Sequence, residues 1–196
     1  MKKFISIFMS CVMFIAIFAM SFNAAAEDKI SINAKSNSSS VTLSWEKKAG
    51  TNSYVVMQYN SKSDKWEKIK ATTSDKVKIT GLKSAMVYKF KLKNISKTVT
   101  VATCPKKMTY IGAKFMYDDN DNAIDAVAWD KMSGVSGYQI QLKTISGETK
   151  TVNIKGNKKT LYKTPAEWDY ARIRAYKTAD GKKYYGGYSD FREFHG

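Results

Sequence analysis

Trp45 and Trp129 are each followed nine residues later by a tyrosine that opens a β-rich run, Tyr54-Val55-Val56 in one case and Tyr138-Gln139-Ile140 in the other. A polar turn containing glycine fills each interval. A pattern that recurs in the same order marks two copies of one structural unit. Within each copy, short runs alternate apolar with polar residues, the period of a strand with one buried face. In the first copy Ile30 to Ala34, Val41 to Trp45, Tyr54 to Tyr59, Trp66 to Ile69, Val77 to Ile79, Tyr88 to Leu92 and Val99 to Val101 are the expected strands. In the second they are Tyr110 to Tyr117, Ile124 to Trp129, Tyr138 to Leu142, Val152 to Ile154, Ala171 to Ala175 and Tyr184 to Phe194. Asp180-Gly181 predicts a tight hairpin before the last run. No stretch after the first 26 residues keeps a helical period. The pattern predicts an all-β chain of two antiparallel β-sandwiches in tandem.

The first 26 residues read differently. A positive head, Met1-Lys2-Lys3, leads into an apolar run from Phe4 to Phe22 and then Ala24-Ala25-Ala26. This is the form of a secretory signal peptide, cleaved after Ala26. The rivals, a retained membrane anchor and a lipoprotein made at Cys11, are disfavoured by the Ala-x-Ala exit and by the poor lipobox Phe8-Met9-Ser10. The expected product is extracellular, with no membrane span, and possible association with the cell wall. Its domains are expected at residues 27–104 and 105–196, divided near Cys104-Pro105-Lys106. Cys104 is then the only cysteine, so no internal disulfide forms. A monomer is expected, with a disulfide dimer through Cys104 as the alternative.

Val41-Thr42-Leu43-Ser44-Trp45-Glu46, Gly50 to Val56, and Ile79-Thr80-Gly81-Leu82 through Tyr88-Lys89-Phe90 resemble the second strand, third strand and sheet-to-sheet crossover of the fibronectin type III family, in the bacterial secreted type. Ala126 to Asp130, Gly137 to Ile140 and Ala171 to Ser189 are similar in the second copy. The resemblance implies that Trp45 and Trp129 pack between sheets, that Tyr138 leads a core strand, that Leu82 enters the core, and that Tyr88 pins the crossover as a tyrosine corner. The second copy departs there: no Thr-Gly-Leu precedes its crossover, and Asp169 stands at the corner position. The family is a scaffold for spacing, adhesion and binding, so it does not specify a ligand.

Catalysis is not expected. The one histidine, His195, lies beside the C-terminus, which leaves no Ser-His-Asp or Cys-His arrangement and no histidine-cysteine metal cluster. No metal and no cofactor are expected. Asp118 to Asn122 has the alternate acidic spacing of a calcium loop, but Ala123 and Trp129 stand where glycine and a bidentate glutamate belong, so a solvated turn is expected.

The charge is the strongest compositional signal, with 33 Lys+Arg against 17 Asp+Glu and a formal net charge of +16. Such a surplus attracts polyanions, or else reflects lysines spread over solvated faces. Lys89, Lys91 and Lys93 are expected on one outward face, a basic stripe without aromatic interleaving that either meets a polyanion through charge alone or, the favoured use, discourages aggregation. If Ala171, Ile173 and Ala175 face the core, then Trp168, Tyr170, Arg172, Arg174 and Tyr176 face outward, beside Gln139 and Gln141. That face suits either a stacked glycan or a self-contained cation–π ladder. Three functions stay open. The first is a non-catalytic module binding a cell-wall polyanion, glycan or surface protein, with no specific nucleic acid. The second is a carbohydrate-binding protein using the aromatic-arginine face. The third is a spacer or subunit of an exported assembly.

Overall fold

The computed structural model describes residues 30–93, 95, 97–109 and 111–194. The expected signal peptide with Cys11, Tyr110 of an expected strand, and the lone His195 lie outside the described residues. Among the described residues no helix is long and apolar enough to cross a membrane.

Among the described residues the first half contains seven strands: β1 (Ile32–Ser36), β2 (Val41–Trp45), β3 (Tyr54–Asn60), β4 (Lys65–Thr72), β5 (Lys76–Ile79), β6 (Val87–Leu92) and β7 (Val99–Ala102). They form a three-stranded sheet ordered β1-β2-β5 and a four-stranded sheet ordered β4-β3-β6-β7, all pairs antiparallel. The second half contains β8 (Ile111–Tyr117), β9 (Ala123–Trp129), β10 (Gly137–Lys143), β11 (Thr149–Lys155), β12 (Leu161–Pro165), β13 (Tyr170–Ala179), β14 (Lys182–Tyr185) and β15 (Arg192–Glu193). The order repeats as β12-β9-β8 against β11-β10-β13-β14, with β15 also paired to β13. Two expectations need correction. β12 has no counterpart among the sequence-predicted strands, because Leu161 and Tyr162 do not alternate with polar neighbours. The expected single run Tyr184 to Phe194 is broken after Tyr185, where Gly186 and Gly187 depart from strand geometry.

Period-two burial builds both cores. Val41, Leu43, Trp45, Tyr54, Val56, Phe90, Leu92 and Val101 fill the first; Val127, Trp129, Tyr138, Ile140, Leu142, Ala171, Ile173 and Ala175 fill the second. The nine-residue spacing has a physical cause. The Tyr54 hydroxyl accepts the Lys48 amide hydrogen at 2.7 Å, and the Tyr138 hydroxyl accepts that of Met132 at 2.8 Å. Each ring also packs on its tryptophan, with centroids 5.3 Å apart in both copies. A buried tyrosine must satisfy its hydroxyl, and here it does so on the turn that connects it to the tryptophan strand. At the predicted hairpin, Asp180 (φ 48°) and Gly181 (φ 70°) both take the left-handed region that a two-residue type I′ turn requires.

The crossovers differ. In the first sandwich Tyr88 forms the expected corner: its hydroxyl accepts the Lys83 amide hydrogen at 2.9 Å. Thr103 Oγ1 donates to the Lys83 carbonyl at 2.6 Å, and Leu82 packs on the core. In the second, fully buried Asp125 on β9 does this work. Its Oδ2 accepts the amide hydrogens of Glu167 at 3.2 Å and Trp168 at 3.1 Å.

The halves meet through a packed junction. Pro105 is buried and Met108 belongs to the second core. A Cβ on Gly186 would stand 2.7 Å from the Pro105 carbonyl oxygen, so only glycine lets the chain pass there. Tyr184, from the second half, packs against the first core, and within the second half Lys107 pairs with Asp190 at 2.9 Å.

Candidate functional site

The outer face of the β11-β10-β13-β14 sheet carries most of the residues singled out above, but not in the arrangement expected. Trp168 is not on it. β13 begins at Tyr170, so strand parity does not extend back to 168, and Asp125 draws the crossover amides inward. The Trp168 ring lies in the core, 9% exposed. Tyr176 has the expected parity but is 3% exposed. It is roofed by Tyr185 at 5.8 Å between centroids and by Lys183 Nζ at 4.7 Å. A Cβ on Gly137 would stand 2.5 Å from its hydroxyl, so Gly137 makes room for it. Gln139 is buried as well.

What remains is a column. The Arg174 guanidinium lies 3.9 Å from the Tyr185 ring centroid and 4.3 Å from that of Tyr188. Arg172 lies 4.3 Å from Tyr188 and 4.6 Å from Phe191. Arg174 Nε donates to Gln139 Oε1 at 2.8 Å, and Arg172 Nε to Gln141 Oε1 at 2.7 Å. The Tyr188 hydroxyl also donates to Gln139 Oε1, at 2.8 Å, and Gln139 Nε2 donates to Asn153 at 3.0 Å. Tyr170, half-buried, closes the column against Phe191 with centroids 6.4 Å apart.

Sequence reasoning missed Tyr185, Tyr188 and Phe191, which supply every ring that the arginines touch. They recur every third residue, a spacing that a search for period two discards. The spacing arises because residues 186–191 still follow β13 without forming a regular ladder. Gly186 donates its amide hydrogen to Ala175 O at 2.9 Å and Ser189 to Ile173 O at 2.8 Å, while Ser189 Oγ accepts the Ile173 amide hydrogen at 3.0 Å. The Gly186-Gly187 pair before Tyr188 was the available signal.

The corresponding face of the first sandwich is basic. Lys91 and Lys68 flank Met57 in register from β6 and β4, with Lys89 and Lys93 on either side of Lys91. The expectation of a stripe without aromatic interleaving is corrected. Lys89 Nζ lies 5.4 Å from the Tyr59 ring centroid and Lys91 Nζ 4.6 Å from that of Trp66, and the two rings are 5.5 Å apart. These rings come from β3 and β4, so inspection of one strand could not find them. Tyr59 donates to Asp64, which pushes its phenol above the usual value. Residues 30–104 hold fourteen lysines, no arginine and four carboxylates, so the positive surplus is concentrated in the first half.

The acidic hairpin is satisfied by its own chain. Asp118 Oδ1 accepts the amide hydrogens of Asn120 at 2.9 Å and Asn122 at 3.0 Å, which holds its carboxyl below the usual range. Among the described residues no group of three or more His, Cys, Asp or Glu side chains could hold a metal ion. Cys104 is half-buried, with its sulfur 3.6 Å from the Ser36 carbonyl oxygen.

Three strands face four in the first half, and three face the same four-strand order with β15 added in the second, with the corner tyrosine in the first. The chain is a tandem of two fibronectin type III-like sandwiches. No protein-family model matches the chain, and no curated protein does. Among solved structures it is similar to a two-domain fibronectin type III segment from chicken tenascin. That match has 16% identity over 84% of this chain and 97% of the other, with a TM-score of 0.46. It is also similar to the central fibronectin type III array of RIM-binding protein, at 16% identity with a TM-score of 0.36, covering 89% of this chain and 66% of that one.

Proposed function

We propose that the protein is a secreted, non-catalytic interaction module that holds anionic cell-surface or cell-wall material through the lysine-rich sheet of its first sandwich. The observation that carries this reading is the excess of fourteen lysines over four carboxylates in residues 30–104, with Lys68, Lys89, Lys91 and Lys93 on one sheet face. Between described residues a single ion pair forms, Lys107 with Asp190, so the lysines of that face are not neutralised by neighbouring carboxylates. Attraction of this kind falls as salt screens it. The test is retention of the mature protein on whole cell walls and on insoluble polysaccharides across a salt series. Retention that collapses with rising salt, and that is weakened in a Lys89→Gln, Lys91→Gln, Lys93→Gln variant, is the expected result. Retention on a neutral polysaccharide that persists in high salt overturns it.

A spacer role is the second reading, and the packed junction favours it: Pro105, Met108 and Tyr184 join the halves without a free linker. The neutral-glycan reading loses support, because Trp168 is in the core and the rings of the column face guanidinium groups.

A further inference from the structure

The arginine column is built so that only part of each guanidinium is left to bind anything. Each of Arg172 and Arg174 has its guanidinium carbon over two aromatic rings, and both Nε atoms are given to glutamines. The remaining donors are the terminal Nη groups. Neither arginine forms an ion pair among the described residues, and both are half-exposed. Packing fixes both side chains in advance, so little rotamer freedom is lost when an acceptor arrives.

Two further features narrow the acceptor. Arg172 and Arg174 alternate on one strand, which sets them about 6.5–7 Å apart along it. Alternate side chains of any extended peptide share that repeat, so carboxylates at positions i and i+2 fall opposite the two guanidiniums. At the Arg172 end of the face Phe191 is 36% exposed, and Ile145, in the turn that follows β10, is 81% exposed. That turn is tied to the start of β13, since the Ile145 amide hydrogen is accepted by Asp169 Oδ2 at 2.6 Å. Lys143 Nζ stands 5.7 Å from the Phe191 ring centroid and adds positive charge at the same end. Arginine beside tyrosine rings is the composition of a protein-binding hot spot.

We propose that this face docks an extended acidic segment of a partner protein, with two carboxylates two residues apart on Arg172 and Arg174 and an apolar residue over Phe191 and Ile145. The interaction is separate from the lysine face of the first sandwich. A variant carrying Lys89→Gln, Lys91→Gln and Lys93→Gln therefore keeps it.

The experiment titrates the mature two-domain protein, labelled with nitrogen-15, with a capped hexapeptide of sequence Leu-Thr-Glu-Thr-Glu-Thr. The arginine Nε–H resonances are followed, so the ladder itself need not be mutated. Saturable shifts at Arg172 and Arg174, with weakening of about tenfold when both glutamates become glutamine, are expected. Ile145→Asp, on an exposed tip where folding is unaffected, is expected to weaken binding about fivefold by removing the anchor and repelling the peptide. Shifts confined to lysine-bearing segments, or no saturable shift, overturn the proposal. So does unchanged affinity in Ile145→Asp. Stronger shifts of the same arginine resonances with heparin than with the peptide overturn it in favour of an anionic glycan.

Discussion

In the first sandwich, Lys89 and Lys91 reach over Tyr59 and Trp66 from long stems on an otherwise open sheet. In the second, Arg172 and Arg174 stand between Tyr185, Tyr188 and Phe191, with their Nε atoms fixed by glutamines. The two faces occupy corresponding sheets and both pair cations with rings. An ammonium is a hydrated point charge that can leave its ring for another partner, whereas a planar guanidinium stacks on both sides and hydrogen-bonds in its plane. The first face therefore offers mobile charge and the second a fixed pattern. The crossovers repeat the contrast: a tyrosine hydroxyl at the edge of the first core, a buried carboxylate inside the second.

The largest test of that contrast is Asp125→Ala. It leaves the Glu167 and Trp168 amides without their acceptor and is expected to destabilise the second sandwich by about 3 kcal/mol. Tyr88→Phe is expected to cost the first only about 1 kcal/mol, from the lost hydroxyl contacts with the Lys83 backbone at the edge of the core. Denaturant unfolding followed separately in each half measures both, and equal losses would erase the distinction. Tyr184→Ala is next. It removes a ring that packs on the first core from the second, and is expected to cost about 1–2 kcal/mol while separating the two unfolding transitions. A single shared transition in the variant would show that the junction does not depend on this ring.

Arg174→Ala is expected to cost about 1.5 kcal/mol through two ring contacts and a hydrogen bond, against less than about 0.5 kcal/mol for Lys91→Ala. Losses of the same size would make the two faces equivalent. The smallest effect is acidic. The lowered folded value of Asp118 means that its contribution is fully present above the ordinary aspartate range and is lost as pH falls through the folded value. Asp118→Ala should therefore flatten a small acid-side loss of stability in the second sandwich alone, read from its melting temperature between pH 5 and pH 2 (about the aspartate range).

Much of this could be read from the chain. Strand β2, the turns before Tyr54 and Tyr138, and the Asp180-Gly181 hairpin were legible because each depends on neighbours in sequence: alternation, a turn within reach of one side chain, a dipeptide that tolerates positive φ. β12 was not, because Leu161–Pro165 has no alternation of its own and becomes a strand by pairing with β9. Trp168 was misplaced because its direction is set by Asp125, more than forty residues earlier.

The same division runs through the candidate sites. Sequence alone determined that the chain duplicates one all-β unit, that two arginines alternate on one strand with the inward-facing Ile173 between them, and that lysine dominates the charge. Those properties need only a period and a composition. Tertiary structure decided which rings meet which cations. Tyr59 and Trp66 reach Lys89 and Lys91 from other strands, and Tyr185, Tyr188 and Phe191 reach the arginines from a segment whose glycines break the strand period. Pairing across strands depends on register, and register is fixed only when both cores close.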